Sequence, residues 1–282
     1  MNQIVLSVGG FYIQIIFKLE NKFFYKHILE RDIKKFYRNF ITQERQEKYD
    51  FIINIVDKGI RSVDFVKAGT SNQIQTYINF FNRSNKNKIT SYYYISINQF
   101  DYLFLHVLEK LLIKNKGFIL QSVATIIKNK AILFLGGKES INAFIISHLS
   151  KQFPILLTDK NIIKKEANQF LMYQIPTLRS ARLSILQSIG YTIKEIYLIR
   201  KSANYAVLPV RKKEAIANQL LKFSNVPKLL RHLELKQYSS NSLRYFFEFV
   251  NKNNFYSINI GGDKYKIKQL FNSIKIKQNS IN

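Results

Sequence analysis

The chain has 282 residues, with 44 Lys and Arg against 18 Asp and Glu, no Cys and four His. At 46% hydrophobic it can bury a full core, which excludes global disorder. The lack of Cys excludes a disulfide scaffold, Cys-ligated zinc and thiol catalysis, and His27, His106, His148 and His232 form no pair at the i+3 or i+4 spacing of a zinc helix, so no metal site is expected.

The first segment alternates, with Ile4, Leu6 and Val8, then Phe11, Ile13, Ile15 and Phe17. That period predicts two strands turning at Gly9-Gly10. It has no basic n-region, and no run in the chain approaches the ~18 apolar residues of a membrane span, so a cytoplasmic protein is expected. A helix and a strand over 51–56 follow, and the polar stretch 82–88 is read as a linker or hairpin loop. Phe100, Leu103, Phe104, Val107, Leu108, Leu111 and Leu112 recur at helical spacing. Asn98 is read as the cap of that helix and Gly117 as its stop. Residues 118–127 read as one strand, Lys128-Asn129-Lys130 as a turn, and Ala131 to Leu135 as a wholly apolar strand covered on both faces. Gly136-Gly137, a short helix over 141–149 and a strand over 154–158 complete a βαβ unit. A strand over 193–199, helices over 211–223, 227–237 and 240–251, a strand over 255–260 and a last amphipathic helix from Tyr265 to Ile274 follow.

A strand running into a glycine turn and then a helix is the frame of a phosphate-binding loop. Its chemistry requires Gly-x-x-x-x-Gly-Lys-[Ser/Thr]: glycines so that backbone N–H groups wrap the phosphates, Lys for the terminal phosphates, a hydroxyl for Mg²⁺. With Gly136 first, the second Gly position holds Ile141, the Lys position Asn142 and the hydroxyl position Ala143. Lys138 and Ser140 lie inside the loop, where Gly137-Lys138-Glu139-Ser140 loosely mimics Gly-Lys-x-Ser.

Gly117 to Ala124, Asn129 to Gly136, Pro154 to Asp159, Ile162 to Glu166 and Tyr173-Gln174-Ile175-Pro176 together, in this order and spacing, resemble the HPr kinase/phosphorylase family and its divergent bacterial branch. The resemblance covers about residues 95–210 and needs no gap from Gly136 to Asp159. It implies an α/β fold with a mixed sheet, in which a nucleotide-binding core like that of PEP-carboxykinase and HPr kinase carries an N-terminal β-rich extension. The divisions it implies are an N-terminal region at 1–85, a core at 86–225 and a C-terminal extension at 226–282. The family's catalytic His falls on Gln121, its phosphate-loop Lys on Asn142 and its Mg²⁺ hydroxyl on Ala143. Of its paired aspartates, Asp159 is present and the partner is Lys160.

The expectation is therefore a catalytically degenerate protein, not an active enzyme, that binds a protein partner or a nucleotide without turnover. Its degenerate phosphate loop comprises Gly136, Gly137, Lys138, Ser140, Asn142 and Ala143, with Gln121, Asp159 and Lys160 as relic positions. No cofactor is assigned; ATP with Mg²⁺ is the one the loop would take in weakened form. One alternative is an active, divergent ATP-dependent kinase using Lys138 or Lys160 with Asp159. The other is a nucleic-acid-binding protein exploiting the net charge of +26. Against the latter, Ile, Asn, Lys, Phe and Tyr fill about half the chain and Lys outnumbers Arg about three to one. That is the composition of an AT-rich genome, so much of the Lys is expected on solvated faces.

Overall fold

The structure, a computed structural model, describes residues 2–19, 25–43, 46–57, 82–85, 87–91, 95–136, 155–156, 160–176, 188–226, 236–261, 263, 265–266 and 269–270. The chain forms two compact units, one of Met1–Lys114 with Gln174–Ile189 and one of Asn115–Tyr173 with Gly190–Asn282.

The first unit holds a five-stranded sheet in the order β1-β2-β3-β5-β4, from β1 (Asn2–Val8), β2 (Phe11–Leu19), β3 (Phe51–Asp57), β4 (Asn82–Asn85) and β5 (Lys88–Ser91). Gly9 and Gly10 both take positive φ, 61° and 75°, which a two-residue turn between right-twisted strands requires. The polar stretch 82–88 is the β4–β5 hairpin, antiparallel with Asn85 opposite Lys88. Helices α1 (Tyr25–Phe36) and α2 (Ile97–Lys114) belong to the same unit. All seven apolar residues predicted for the α2 stripe are buried. Its cap is Ser96, not Asn98: Ser96 Oγ accepts from Gln99 N at 3.4 Å while Gln99 Oε1 accepts from Ser96 N at 2.8 Å, a reciprocal box. Lys116, at φ 58°, makes the reversal expected of Gly117. Tyr37 is fully buried and donates to Asp101 at 2.6 Å, its ring edge-on to Phe100 and Phe104. Burial, and then the Asp101 carboxylate, hold its phenol well above its ordinary pKa.

The second unit is built on a nine-stranded mixed sheet. Its strands are β6 (Gly117–Leu120), β7 (Val123–Ile127), β8 (Lys130–Leu135), β9 (Ile155–Leu156), β10 (Asn161–Glu166), β11 (Gln169–Gln174), β12 (Tyr191–Lys201), β13 (Ala206–Pro209) and β14 (Phe255–Ile260). The order is β6-β10-β11-β12-β8-β7-β9, with β14 also on β12 and β13 on β14. The long β12 organises it. Thr192 pairs with Lys130 of β8 and with Leu171 of β11, while Leu198 pairs with Leu135 of β8 and Ser257 of β14. One edge of β12 therefore carries β8, and the other carries β11 at its start and β14 at its end. β8, β12 and β14 are parallel.

The apolar β8 is covered on both faces, as its sequence requires. Leu133 and Leu135 join Leu198, with Ile216 and Leu220 of α3 (Lys213–Phe223) and Phe246 and Phe249 of α4 (Lys236–Lys252). Ile132 and Phe134 join Tyr197, Ile199 and Ile258 in a separate cluster, with Leu270 against it. The predicted single strand over 118–127 is broken at Gln121-Ser122. These two residues connect strands that stand far apart in the strand order. Three Cα steps of ~3.8 Å cannot separate β6 from β7 by more than about 11 Å, so the β6-β10-β11 arm curls over the helix-bearing face. There Phe118, Phe170 and Met172 enter the same core as Leu133.

Phe249 meets Phe118, Phe170 and Phe255 edge-on, at centroid distances of 5.4, 5.3 and 6.1 Å, and is fully buried. Truncating it removes the contacts that join α4 to the arm and to the sheet. Phe249→Ala is expected to lower the unfolding free energy by about 3–5 kcal/mol in urea titrations. Phe247→Ala, at a neighbouring residue that is 47% exposed, should change it by about 0.5 kcal/mol or less.

Candidate functional site

Open α/β sheets bind ligands beyond the carboxyl ends of their parallel strands. Here those ends are Leu135, Lys201 and Ile260. Gly136 follows β8 at φ 88°, a left-handed backbone that only glycine adopts without strain. A Cβ there would stand 3.0 Å from the carbonyl oxygen of Ile199 and 3.4 Å from the ring of Phe223. The neighbouring strand and the end of α3 thus leave room for backbone only at this position.

Gln121 meets the same corner. Its backbone N–H donates to the carbonyl of Phe223 at 2.6 Å, and its side chain is exposed. Ser224 bridges Leu120, Asn225 N donates to Ile119 O at 3.1 Å, and Ile119 N donates to Asn225 Oδ1 at 2.8 Å. Asn225 is buried, and its Nδ2 has no hydrogen-bond partner among the described residues. Asn161, fully buried at the start of β10, donates through Nδ2 to Ser122 O at 2.8 Å and to Ser122 Oγ at 2.9 Å. That bond ties Lys160, half-buried beside it, to the Gln121-Ser122 connection. Three residues singled out in the sequence, Gln121, Gly136 and Lys160, are therefore gathered at one corner through Phe223, Ser122 and Asn161. Gly137, Lys138, Ser140, Asn142, Ala143 and Asp159 lie outside the described residues, as do the 141–149 helix, His148 and Tyr92 to Tyr94.

Arg200 is the residue that sequence reasoning missed. It follows Ile199, whose carbonyl lies against Gly136, and its Nη2 donates to Gln219 Oε1 of α3 at 3.1 Å while the side chain stays exposed. The signal was present: a guanidinium directly after the buried run Ile196 to Ile199 on a parallel strand. Lys213 lies in the basic run Arg211-Lys212-Lys213, yet its Nζ donates to Val250 O and Asn253 O, at 2.9 and 3.0 Å, closing the carboxyl end of α4.

The Tyr173 segment is structural. Tyr173 Oη donates to Glu166 Oε1 at 2.7 Å, and Lys164 Nζ stands 3.0 Å from the same oxygen. A Cβ on Gly190 would lie 2.6 Å from the Tyr173 ring, so glycine is required there for the ring to seat. Burial pushes the Glu166 carboxyl up, but the bonds from Tyr173 and Lys164 outweigh it and the net pKa is lowered; burial and Glu166 push the Tyr173 phenol up. Among the described residues no group of His, Asp and Glu could hold a metal ion, and no helix is long and apolar enough to cross a membrane.

No family model matches the sequence, and no curated protein does. A solved structure, the Hpr(Ser) kinase/phosphatase from Coxiella burnetii, aligns over 57% of this chain and 92% of its own, with 8% identity and a TM-score of 0.32. Likeness that weak does not establish a common fold, so the site stands on its own geometry.

Two outcomes are expected at this site. Gly136→Ala should destabilise the chain by more than about 1 kcal/mol, read in urea, because it adds a side chain at positive φ against a backbone oxygen. Glu166 has a depressed pKa in the folded state, so its contribution is present above the unfolded carboxylate pKa and is lost as pH falls through the folded value. Glu166→Gln should therefore be less stable than the natural chain at pH 7 and approach it in stability below about pH 4.

Proposed function

We propose that the corner formed by Gly136, Gln121, Lys160 and Arg200 binds the phosphate groups of a nucleotide and does not transfer them. The chain is, on this reading, a catalytically degenerate relative of HPr-kinase-like proteins that acts by binding. The observation that carries it is Gly136: a left-handed glycine at the carboxyl end of a buried parallel strand, pressed against the next strand so that only backbone fits. Arg200, held by Gln219, supplies an exposed guanidinium one residue beyond the Ile199 that packs on Gly136. An arginine presents a planar fork of donors that matches phosphate oxygens.

Transfer is disfavoured by what the sequence places at the chemical positions. Phosphoryl transfer depends on positioned cations, a metal and a group that orients the nucleophile. Asn142 and Ala143 stand at the positions of the loop Lys and the metal-binding hydroxyl, and Gln121 at the position of the base. A Lys-to-Asn exchange alone removes a charge-assisted contact of roughly 1.5–3 kcal/mol.

The test is thermal unfolding with millimolar ATP or GTP, with and without Mg²⁺. A ligand at 100 times its Kd adds about 2.7 kcal/mol, a rise of several degrees in midpoint. The expected result is a rise that Mg²⁺ does not need and that Arg200→Gln removes, with no ADP formed over hours. A well-folded chain whose midpoint ignores nucleotide at 5 mM, chosen as roughly a hundredfold excess over a micromolar-range site, contradicts the binding claim. Mg²⁺-dependent ADP release that disappears in Asp159→Ala contradicts the claim that no transfer occurs.

A further inference from the structure

We infer that the carboxyl end of the second unit's sheet is a track for single-stranded polynucleotide, with the nucleotide corner as one phosphate position along it. This rests on the reading that the corner binds phosphate, and names the ligand class that the rest of this end would take.

The net charge of the chain does not carry the inference; the placement and state of particular cations do. Arg200 and Lys201 end β12, Lys222 precedes the Phe223 that packs on Gly136, and Lys266 follows β14. All four are exposed, and none has a carboxylate partner among the described residues. Lys164, Lys165 and Lys213 of the same unit are, by contrast, engaged: by Glu166, by Glu248, and by the carbonyls that end α4. The nearby Asp263, whose Oδ1 accepts from the backbone N–H groups of Tyr265 and Lys266 at 2.9 and 3.3 Å, keeps its negative charge and offsets one of these four cations.

Aromatic rings lie among these cations. Tyr205 is fixed: its Oη accepts from Asp263 N at 2.7 Å, its hydroxyl occupies the space a Cβ on Gly261 would need, and Lys266 Nζ stands 5.5 Å over its ring. Tyr265 is 68% exposed, an open ring face beside the cations. A groove of spaced cations with stacking rings is how single strands are held without sequence preference. A phosphodiester chain carries one charge per residue, which separate Arg and Lys side chains neutralise singly. An acidic protein surface would meet the charge but has no use for the exposed Tyr265.

The experiment measures fluorescence anisotropy of a labelled 12-nucleotide oligo(U) with the full chain, at salt from about 50 to 200 mM. The expected result is binding that weakens with salt. Arg200→Gln with Lys201→Gln should weaken it at least tenfold and reduce the log–log salt slope by about 1.4, two single-strand phosphates. Tyr265→Ala should cost about fivefold or more for oligo(U) and little for an RNA duplex, whose base faces are covered. Unchanged midpoints show that these exposed variants fold. Equal losses from Arg31→Gln with Lys34→Gln, in the first unit, would overturn the inference in favour of diffuse charge. Phosphatidylserine vesicles bound with the same dependence on Arg200, Lys201 and Tyr265 would overturn it in favour of a membrane surface. No oligo(U) binding at 50 mM salt in a chain that ATP does stabilise would overturn it and leave the nucleotide reading standing. Failure of both ligands would end the nucleotide reading as well.

Discussion

Strand β12 is the constraint on which the second unit depends. Its eleven residues pair with β8 along one edge and with β11 and then β14 along the other. Three strands are thereby held parallel with their carboxyl ends together, and the β10–β11 hairpin begins the arm that curls over the helices. The candidate residues among those described take their positions from this arrangement. Ile199 limits Gly136 to backbone, Arg200 stands one residue further, and the arm returns Gln121 and Asn161 to the same corner. The strand can do this because it is apolar on both sides over Ile196 to Ile199 and so has a core on each face.

On the proposed reading, the corner offers the shape of a phosphate site without the groups of a transferase. These are separable requirements. Shape comes from strand pairing, a left-handed glycine and a buried partner strand, all of which persist while packing persists. Transfer needs individual side chains that packing does not protect, and on the proposed reading those positions hold Gln121, Asn142 and Ala143. Binding that survives without chemistry is the physical expectation for such a chain, because backbone N–H groups and an oriented guanidinium need no metal to meet a phosphate oxygen.

What the sequence made legible follows from what each signal measures. The β1–β2 hairpin was readable because alternation and Gly9-Gly10 are local, and the α2 stripe because burial repeats at helical spacing. The buried β8 and the turn at Lys128-Asn129 were readable for the same reason. The choice between Ser96 and Asn98 as cap was misread, since both are good caps and only the bond from Gln99 decides. The break at Gln121-Ser122 was invisible because its cause lies a hundred residues away at Phe223, and at Asn161. The β10–β11 hairpin and β13 carry mixed polar and apolar residues whose burial depends on partners distant in sequence. Arg200 was missed because its importance comes from the register of β12 against β8, which no local pattern encodes. The positions of Lys138, Asn142 and Asp159 remain expectations of the sequence.

The most direct measurement is a titration of ¹⁵N-labelled chain with inorganic pyrophosphate, followed by NMR at the Gly136 and Ile199 amides and the Arg200 Nε–H. The account predicts saturable shifts at these three groups and at Gln121, with the amides of the first unit's sheet unmoved. Shifts confined to other parts of the chain, or none at these groups, would contradict it.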